Sequence, residues 1–133
     1  MADAVTTVIE NNGPRNLVAT FTNFSDGTGE NGVVKIDATS ATYANRGVAP
    51  GIHLTINRIQ YDIRNGGAVR VQWVANSNTD AIILTGFDDL DFRQSSGLIN
   101  PNGTGATGSI AFTTVDFAAK SSYSITLWMR KNV

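Results

Sequence analysis

The pattern that most constrains this chain is a short, repeated alternation of apolar and polar residues. Each alternating run ends in a cluster of Gly, Asn, Ser or Asp, and Leu17, Ala19 and Phe21 are the apolar half of one such run. A period of two places successive side chains on opposite faces of an extended strand, whereas a helix repeats its apolar residues every three or four positions. The alternation therefore predicts an all-β chain of short strands and tight turns.

About eight strands are predicted from these runs. They occupy residues 4–10, 16–24, 33–37, 52–64, 69–73, 81–86, 108–115 and 122–131. This number of short strands in 133 residues predicts two packed antiparallel sheets, an antiparallel β-sandwich with a jelly-roll-like topology, and a small barrel is the alternative. Because the length is that of one domain, we expect residues 1–133 to form a single β-sandwich domain.

The longest predicted strand changes phase part of the way along. Its apolar residues occupy even positions up to Ile56 and odd positions from Ile59 onward. One extra residue near Asn57 would restore the inward face, so we predict a β-bulge there or a sharp bend between two sheets. The Asn-Gly-Gly sequence at 65–67 supplies residues that accept positive φ, and it predicts a hairpin that pairs this strand with the strand at 69–73.

Other segments carry simpler patterns. The run 81–86 is continuously apolar except for its last two residues, which predicts a strand buried on both faces. The loop 25–32 contains three glycines and little to bury, so we predict that it is mobile. The acidic segment 87–92 is predicted to lie on the surface, anchored by its apolar side chains, and 94–107 is predicted to be a long loop. A turn at 115–120 is the one helix-like pattern.

The composition excludes several classes of function. Charged residues make up 16% of the chain, the formal net charge is −1, and no segment concentrates Lys and Arg. A nucleic-acid-binding protein needs such a concentration, so neither nucleic acid nor an anionic membrane is an expected partner. The chain shows no signal-peptide pattern and no long apolar run, which predicts synthesis in the cytoplasm. It has no cysteine, so disulfides and thiolate metal sites are impossible.

No set of residues suggests catalysis or a cofactor. His53 is the single histidine, and no G-x-S-x-G motif is present, so a catalytic triad cannot be assembled. Asp88, Asp89 and Asp91 could bind Ca²⁺ through oxygen ligands, but we expect them to be solvated or paired with Arg93. The chain is therefore predicted to be non-enzymatic, with no catalytic, cofactor-binding or metal-binding residues.

The two tryptophans are predicted to face in opposite directions. Trp73 follows the phase of the apolar residues on its strand and is expected in the core. Trp128 alternates with apolar residues and shares its phase with polar ones, so it is expected to face outward. An outward tryptophan is a typical anchor of a protein interface. We therefore predict an interface at Trp128, with Tyr43 and the outward Val74 as further candidates.

Three stretches resemble a known group of proteins. They are ADAVTTVIENNGPRNLVATFTN at 2–23, GIHLTINRIQYD at 51–62 and YSITLWMRK at 123–131. They are similar to small virion-associated proteins of tailed bacteriophages. The resemblance implies a structural protein of the particle, first of all a capsid decoration (cement) protein that binds the outside of the head. It also implies the major capsid protein or other virion proteins as partners, a homo-oligomer with a trimer favoured, and a place on the capsid surface after synthesis in the host bacterial cytoplasm.

Two alternatives stay open at this point. The protein could belong to the neck or tail of the virion, where ring symmetry would set a much lower copy number than on the head. It could also be a carbohydrate-binding β-sandwich module that uses Trp128 and the segment 88–91. An enzyme is the least supported class, because no acid, base or nucleophile pair can be named in the sequence.

Overall fold

The structure is a computed structural model that describes residues 4–12, 16–36, 53–95, 97–99 and 109–132. In these residues the chain forms ten strands and a short 3₁₀ turn at Arg93–Ser95. The strands are β1 (Ala4–Asn12), β2 (Asn16–Asp26), β3 (Val33–Ile36), β4 (His53–Arg64), β5 (Ala68–Trp73), β6 (Thr79–Leu84), β7 (Phe87–Asp91), β8 (Leu98–Ile99), β9 (Ile110–Val115) and β10 (Ala119–Asn132). Both β7 and β8 lie where the sequence predicted a surface segment and a loop.

The strands form two antiparallel sheets, which confirms the predicted all-β class. One sheet has six strands in the order β1-β2-β10-β4-β7, with β8 also pairing with β4. The other has four strands in the order β3-β9-β5-β6. In the part of the chain that the structure describes, no helix is long and apolar enough to cross a membrane.

The pairings between strands are nested along the chain. The innermost pair is β5 with β6, and around it lie β4 with β7, β3 with β9, and β2 with β10. Successive nested pairs alternate between the two sheets. Most of the neighbours in each sheet are therefore distant in sequence, and local turns account for few of the contacts.

The hydrophobic core contains side chains from both sheets. The buried residues include Leu17, Phe21, Ile59, Ile125 and Leu127 of the six-stranded sheet and Ile36, Val69, Trp73, Leu84 and Phe112 of the four-stranded sheet. The Phe112 ring contacts two other aromatic rings of the core edge-on, with its centroid 5.2 Å from that of Phe21 and 5.7 Å from that of Tyr123. Burial of Trp73 confirms the prediction made from its phase.

The phase change in β4 is a β-bulge, one of the two possibilities that the sequence left open. Arg58 pairs with Trp128 and Ile56 with Met129, so Asn57 is the extra residue. Its carbonyl accepts the N–H of Phe92 at 2.8 Å instead. The bulge restores the inward phase, because both Ile56 and Ile59 are fully buried.

The predicted hairpin at 65–67 is wrong. The turn residues do have positive φ, at 64° for Asn65, 82° for Gly66 and 90° for Gly67. However, β4 lies between β10 and β7 and so has no free edge, and β5 belongs to the other sheet. The turn therefore carries the chain from one sheet to the other. Gly67 is required there, because a Cβ would lie 2.6 Å from a ring carbon of Phe117.

Two predictions about exposure are also wrong. The strand β6 is not buried on both faces, because Ile83 is 56% exposed and only Leu84 is fully buried. Because side chains alternate along the strand, Leu84 points to the core and Ile83 to the opposite face of the four-stranded sheet, which is open to solvent. In the segment 87–92, Leu90 and Phe92 pack against the core as predicted, whereas Phe87 is exposed.

A candidate binding face on the six-stranded sheet

The six-stranded sheet has one face toward the core and one away from it. Because side chains alternate and cross-strand partners share a face, the face away from the core can be assigned from the register. It carries Val18, Thr20, Thr22 and Phe24 of β2, Ser124, Thr126 and Trp128 of β10, Arg58, Gln60, Asp62 and Arg64 of β4, and Phe87, Asp89 and Asp91 of β7. We call this surface the outer face.

Trp128 is held on the outer face by its neighbours. Leu127 and Met129 on either side are buried in the core, so alternation directs Trp128 outward, as predicted. The guanidinium carbon of Arg58 lies 4.6 Å from the centroid of the indole ring, which is a cation–π contact. Asp89 in turn accepts a hydrogen bond from Arg58 Nε at 2.9 Å and a second, closer one from its terminal nitrogen. The three side chains therefore form one ordered group.

Three arginine–aspartate pairs lie on this face, namely Arg58–Asp89, Arg64–Asp62 and Arg93–Asp91. Hydrogen bonds from Arg93 hold the pKa of Asp91 well below its usual value, and those from Arg58 lower the pKa of Asp89. The pairs are partly exposed, so each contributes little to stability. Their effect is to keep this surface nearly neutral while presenting fixed donors and acceptors.

The alternation of side chains along β7 places the three aspartates of the acidic cluster on two different faces of the sheet. Asp89 and Asp91 lie on the outer face, whereas Asp88 points to the opposite face beside Tyr61, its cross-strand partner. Burial, followed by the Asp88 carboxylate, raises the pKa of Tyr61. Asp91 pairs with Arg93 as the sequence predicted. In the described ranges, no three His, Cys, Asp or Glu residues are grouped so as to hold a metal ion.

Two shallow grooves run along the outer face. One, of about 450 Å³, is lined by Gln60, Asp62, Phe87, Asp89, Ser124 and Thr126. The other, of about 380 Å³, is lined by Val18, Asn57, Arg58, Arg93, Trp128 and Met129. An aromatic side chain contributes to each groove, and hydroxyl, amide and charged groups surround it. This arrangement can bind a partner surface or a polyhydroxylated ligand.

The three predicted interface residues are not all brought together. Trp128 lies at the centre of the group described above, whereas Val74 directly follows β5 in the other sheet, where its N–H donates to the Ser109 carbonyl at 3.0 Å. Trp128 faces away from that sheet, so the structure separates these two residues. Tyr43 lies outside the described residues.

Sequence reasoning missed Arg58 and Phe87 as parts of the outer face, whereas Asp89 was named with Trp128 in the carbohydrate-binding alternative. Arg58 stands at the phase change in β4, and its contact with Trp128 depends on the pairing of β4 with β10. Phe87 could have been found from its own alternation, since it shares the phase of Asp89 and Asp91 rather than that of Leu90, which packs against the core.

A second polar group lies inside the protein, around Glu30. Its side chain is only 5% exposed and forms an ion pair with Lys35, which is equally buried. Glu30 Oε1 also accepts hydrogen bonds from the Tyr123 hydroxyl at 2.5 Å and from Asn23 Nδ2 at 3.0 Å. Because hydrogen bonds and an ion pair compensate the buried carboxylate, it stabilises the packing of β2, β3 and β10, which supply its partners.

The Glu30 group corrects the prediction of a mobile loop at 25–32. The backbone N–H of Glu30 donates to Thr114 Oγ1 at 2.7 Å, and the N–H of Thr114 donates to the Glu30 carbonyl at 2.9 Å. Gly32 N–H donates to Thr113 Oγ1 at 2.8 Å. The loop is therefore anchored along β9, and its glycines serve to turn the chain rather than to keep it free.

Comparison with known proteins gives no relative from which a function could be transferred. No protein-family model matches the chain, and neither does any curated protein or solved structure.

Proposed function

We propose that this protein is a non-enzymatic structural protein of a bacteriophage virion, a capsid decoration (cement) protein that binds the outside of the head and stabilises the shell. The observation that carries the proposal is the ordered group of Trp128, Arg58 and Asp89 on the outer face. Tryptophan and arginine are the residues that most often dominate binding energy at protein interfaces. The resemblance to virion-associated proteins supports the same class of partner.

We further propose that the two sheets form a jelly-roll sandwich, which is a common architecture of viral capsid and lectin domains. Without β1 and β8, eight strands remain, with the orders β2-β10-β4-β7 and β3-β9-β5-β6. Four strands in each sheet and the nested pairing support this topology. The side chains of Phe21, Phe112 and Tyr123 meet between the sheets, which supports face-to-face packing.

The proposed mechanism is stabilisation by binding to one state. A protein that binds the assembled shell, and not its dissociated subunits, stabilises the assembly by a free energy that rises with the logarithm of its free concentration divided by its Kd. The outer face suits such binding because Arg58 holds Trp128 in place before contact, so little side-chain entropy is lost on association. The neighbouring ion pairs would form the polar rim around this anchor.

Truncation of Trp128 tests the shell contact. We expect Trp128→Ala to weaken binding to purified shells by at least about 30-fold, since hot-spot residues contribute about 2 kcal/mol or more. Affinity is measured by co-sedimentation of labelled protein with shells across a concentration series. Ile83→Ala is the control, because Ile83 is an exposed apolar residue that lies on the four-stranded sheet, away from the half-buried Trp128.

The thermal midpoint of each variant must be measured as well, so that loss of binding is not confused with loss of folding. Unchanged affinity of Trp128→Ala would contradict the assignment of the outer face as the contact. A shell whose resistance to heat stays the same at saturating protein would contradict the decoration role itself.

A second candidate function is recognition of carbohydrate, and the exposure of Phe87 is the observation that favours it. This side chain is 71% exposed at the rim of a groove lined with hydroxyl, amide and carboxylate groups. We expect a glycan array to yield a ligand whose affinity falls roughly tenfold in Phe87→Ala, through loss of aromatic stacking. Phe24→Ala, at another exposed position of the outer face, should bind normally. No binding of the wild type on the array would exclude this candidate.

A further inference from the structure

The strand β1 is the outermost strand of the six-stranded sheet, and its side chains from Val5 to Glu10 are exposed. It pairs with β2 on one side, and no described residue pairs with its other side. Side chains 5–10 are all exposed, including Val5 at 47%, Val8 at 51% and Ile9 at 38%. The free side of an edge strand presents a row of backbone donors and acceptors that another strand can satisfy.

The edge strands β3, β6 and β7 carry features that discourage such pairing, and the first six residues of β1 lack them. The strand β3 has four residues and a register shift, and β7 carries three aspartates in five residues. The pairing of β6 also shifts register, and Asp80 on this strand is held by Arg70. From Ala4 to Ile9, in contrast, β1 is regular and contains no charged residue and no proline. Short length, irregularity and charge are the usual protection of an edge.

We propose that β1 pairs with β1 of a second copy of this chain, antiparallel, about a twofold axis through Thr7. The backbone donors and acceptors on this side of β1 can be satisfied by another extended strand. When two copies of β1 pair antiparallel, their uncharged residues lie opposite one another and no charge is placed against an apolar side chain between Val5 and Ile9. In this register Val5 lies opposite Ile9 of the second copy, Thr6 opposite Val8, and Thr7 opposite Thr7. An antiparallel pair places directly opposite Cβ atoms about 4.5–5.5 Å apart, close enough for the exposed valine and isoleucine to bury each other.

Glu10, the one charged residue of β1, is compatible with this pairing. Glu10 is the extra residue of the register shift between Ile9 and Asn11, and its carboxylate accepts a hydrogen bond from Thr20 of the same chain at 2.9 Å. The two copies of Glu10 would lie about 20 Å apart, because they are six residues apart along the strands. That separation exceeds the screening length of about 8 Å at physiological ionic strength.

The inference goes beyond the proposed function, since it concerns how copies of the chain associate and not what they bind. Isologous pairing of one edge gives a closed twofold dimer in which two six-stranded sheets become one continuous sheet. This state differs from the trimer that the resemblance implies. The two outer faces would be carried on one rigid sheet and could engage two sites of a symmetric surface together.

The test is a charge-reversal experiment at the axis. Thr7 is exposed, so Thr7→Lys and Thr7→Glu should each fold, but each places two like charges directly opposite one another across the axis. We expect the wild type at tens of micromolar to have twice the mass of the chain by size-exclusion chromatography with light scattering. Each variant should dissociate at least tenfold more readily, and an equimolar mixture of the two should recover the dimer.

The control is Thr79→Lys, which places the same charge on β6, another edge strand, at another exposed threonine. It should stay dimeric. A wild type that is monomeric at all concentrations, a trimer that is unchanged by Thr7→Lys, or a mixture that stays monomeric would each overturn the inference. A protein that dimerises as expected and yet binds no shell would contradict the proposed function alone.

Discussion

Replacing Glu30 by alanine is expected to lower the free energy of unfolding by about 3–5 kcal/mol, because it leaves a buried charge without its partner. Lys35 is 5% exposed and forms its ion pair with Glu30. The Tyr123 hydroxyl and Asn23 Nδ2 lose the acceptor that they share. The loop between β2 and β3 would also lose the buried side chain that joins it to Tyr123 and Asn23. The loss is measured by denaturant unfolding monitored through tryptophan fluorescence.

Glu10→Ala is the matched control for this prediction. It removes the same side chain from an exposed position, where the one hydrogen bond is to Thr20, so we expect a change within about 0.5 kcal/mol. The double variant Glu30→Leu/Lys35→Met should be more stable than Glu30→Ala, because no uncompensated charge stays buried. A loss for Glu30→Ala no larger than that for Glu10→Ala would show that the network does not support the fold.

Replacing Phe112 by alanine is expected to cost about 3–5 kcal/mol, the usual range for a fully buried phenylalanine. The ring is completely buried and makes edge-on contacts with Phe21 and Tyr123. Alanine would remove the side chain that joins β9 to the other sheet, and a close-packed interior can fill the cavity only in part. Unfolding in denaturant at several wavelengths measures the loss and tests whether the transition stays cooperative.

Phe24→Ala serves as the comparison for Phe112→Ala. Phe24 is 58% exposed on the outer face, so its truncation should change stability by no more than about 0.5 kcal/mol. If Phe24→Ala and Phe112→Ala lowered the free energy of unfolding by the same amount, the contacts between Phe112 and the six-stranded sheet would not be a main source of the stability of the core. That result would also remove a main support for face-to-face packing of the two sheets.

The directions in which side chains face could be predicted because they follow from the local period of the strand. Trp73 and Trp128 were placed on the buried and exposed sides by phase alone, and the structure agrees. The bulge at Asn57 was found in the same way, since an extra residue must shift the phase of every side chain after it. These inferences need only neighbouring residues and no knowledge of which strand lies alongside.

The candidate site was predictable only in part for the same reason. Trp128 was identified from its own strand, but Arg58 and Asp89, which hold it, come from two other strands. Likewise, the glycines in 25–32 suggested a mobile loop, because the partners of Glu30 are remote in sequence and its burial depends on them. The local composition of that loop could not reveal where its one long acidic side chain would be placed.

By itself, the sequence determined the strand class, the approximate positions of eight of the ten described strands, the directions of the two tryptophans, and the positive φ of the turn at 65–67. Only the tertiary structure decided which strands pair. The same turn can close a hairpin or carry the chain into a second sheet, and its backbone conformation does not distinguish the two. The choice depends on β10, which pairs with both β2 and β4 and leaves β5 to join β9. Such pairings between distant segments are set by burial of the shared core, which no single segment of the sequence encodes.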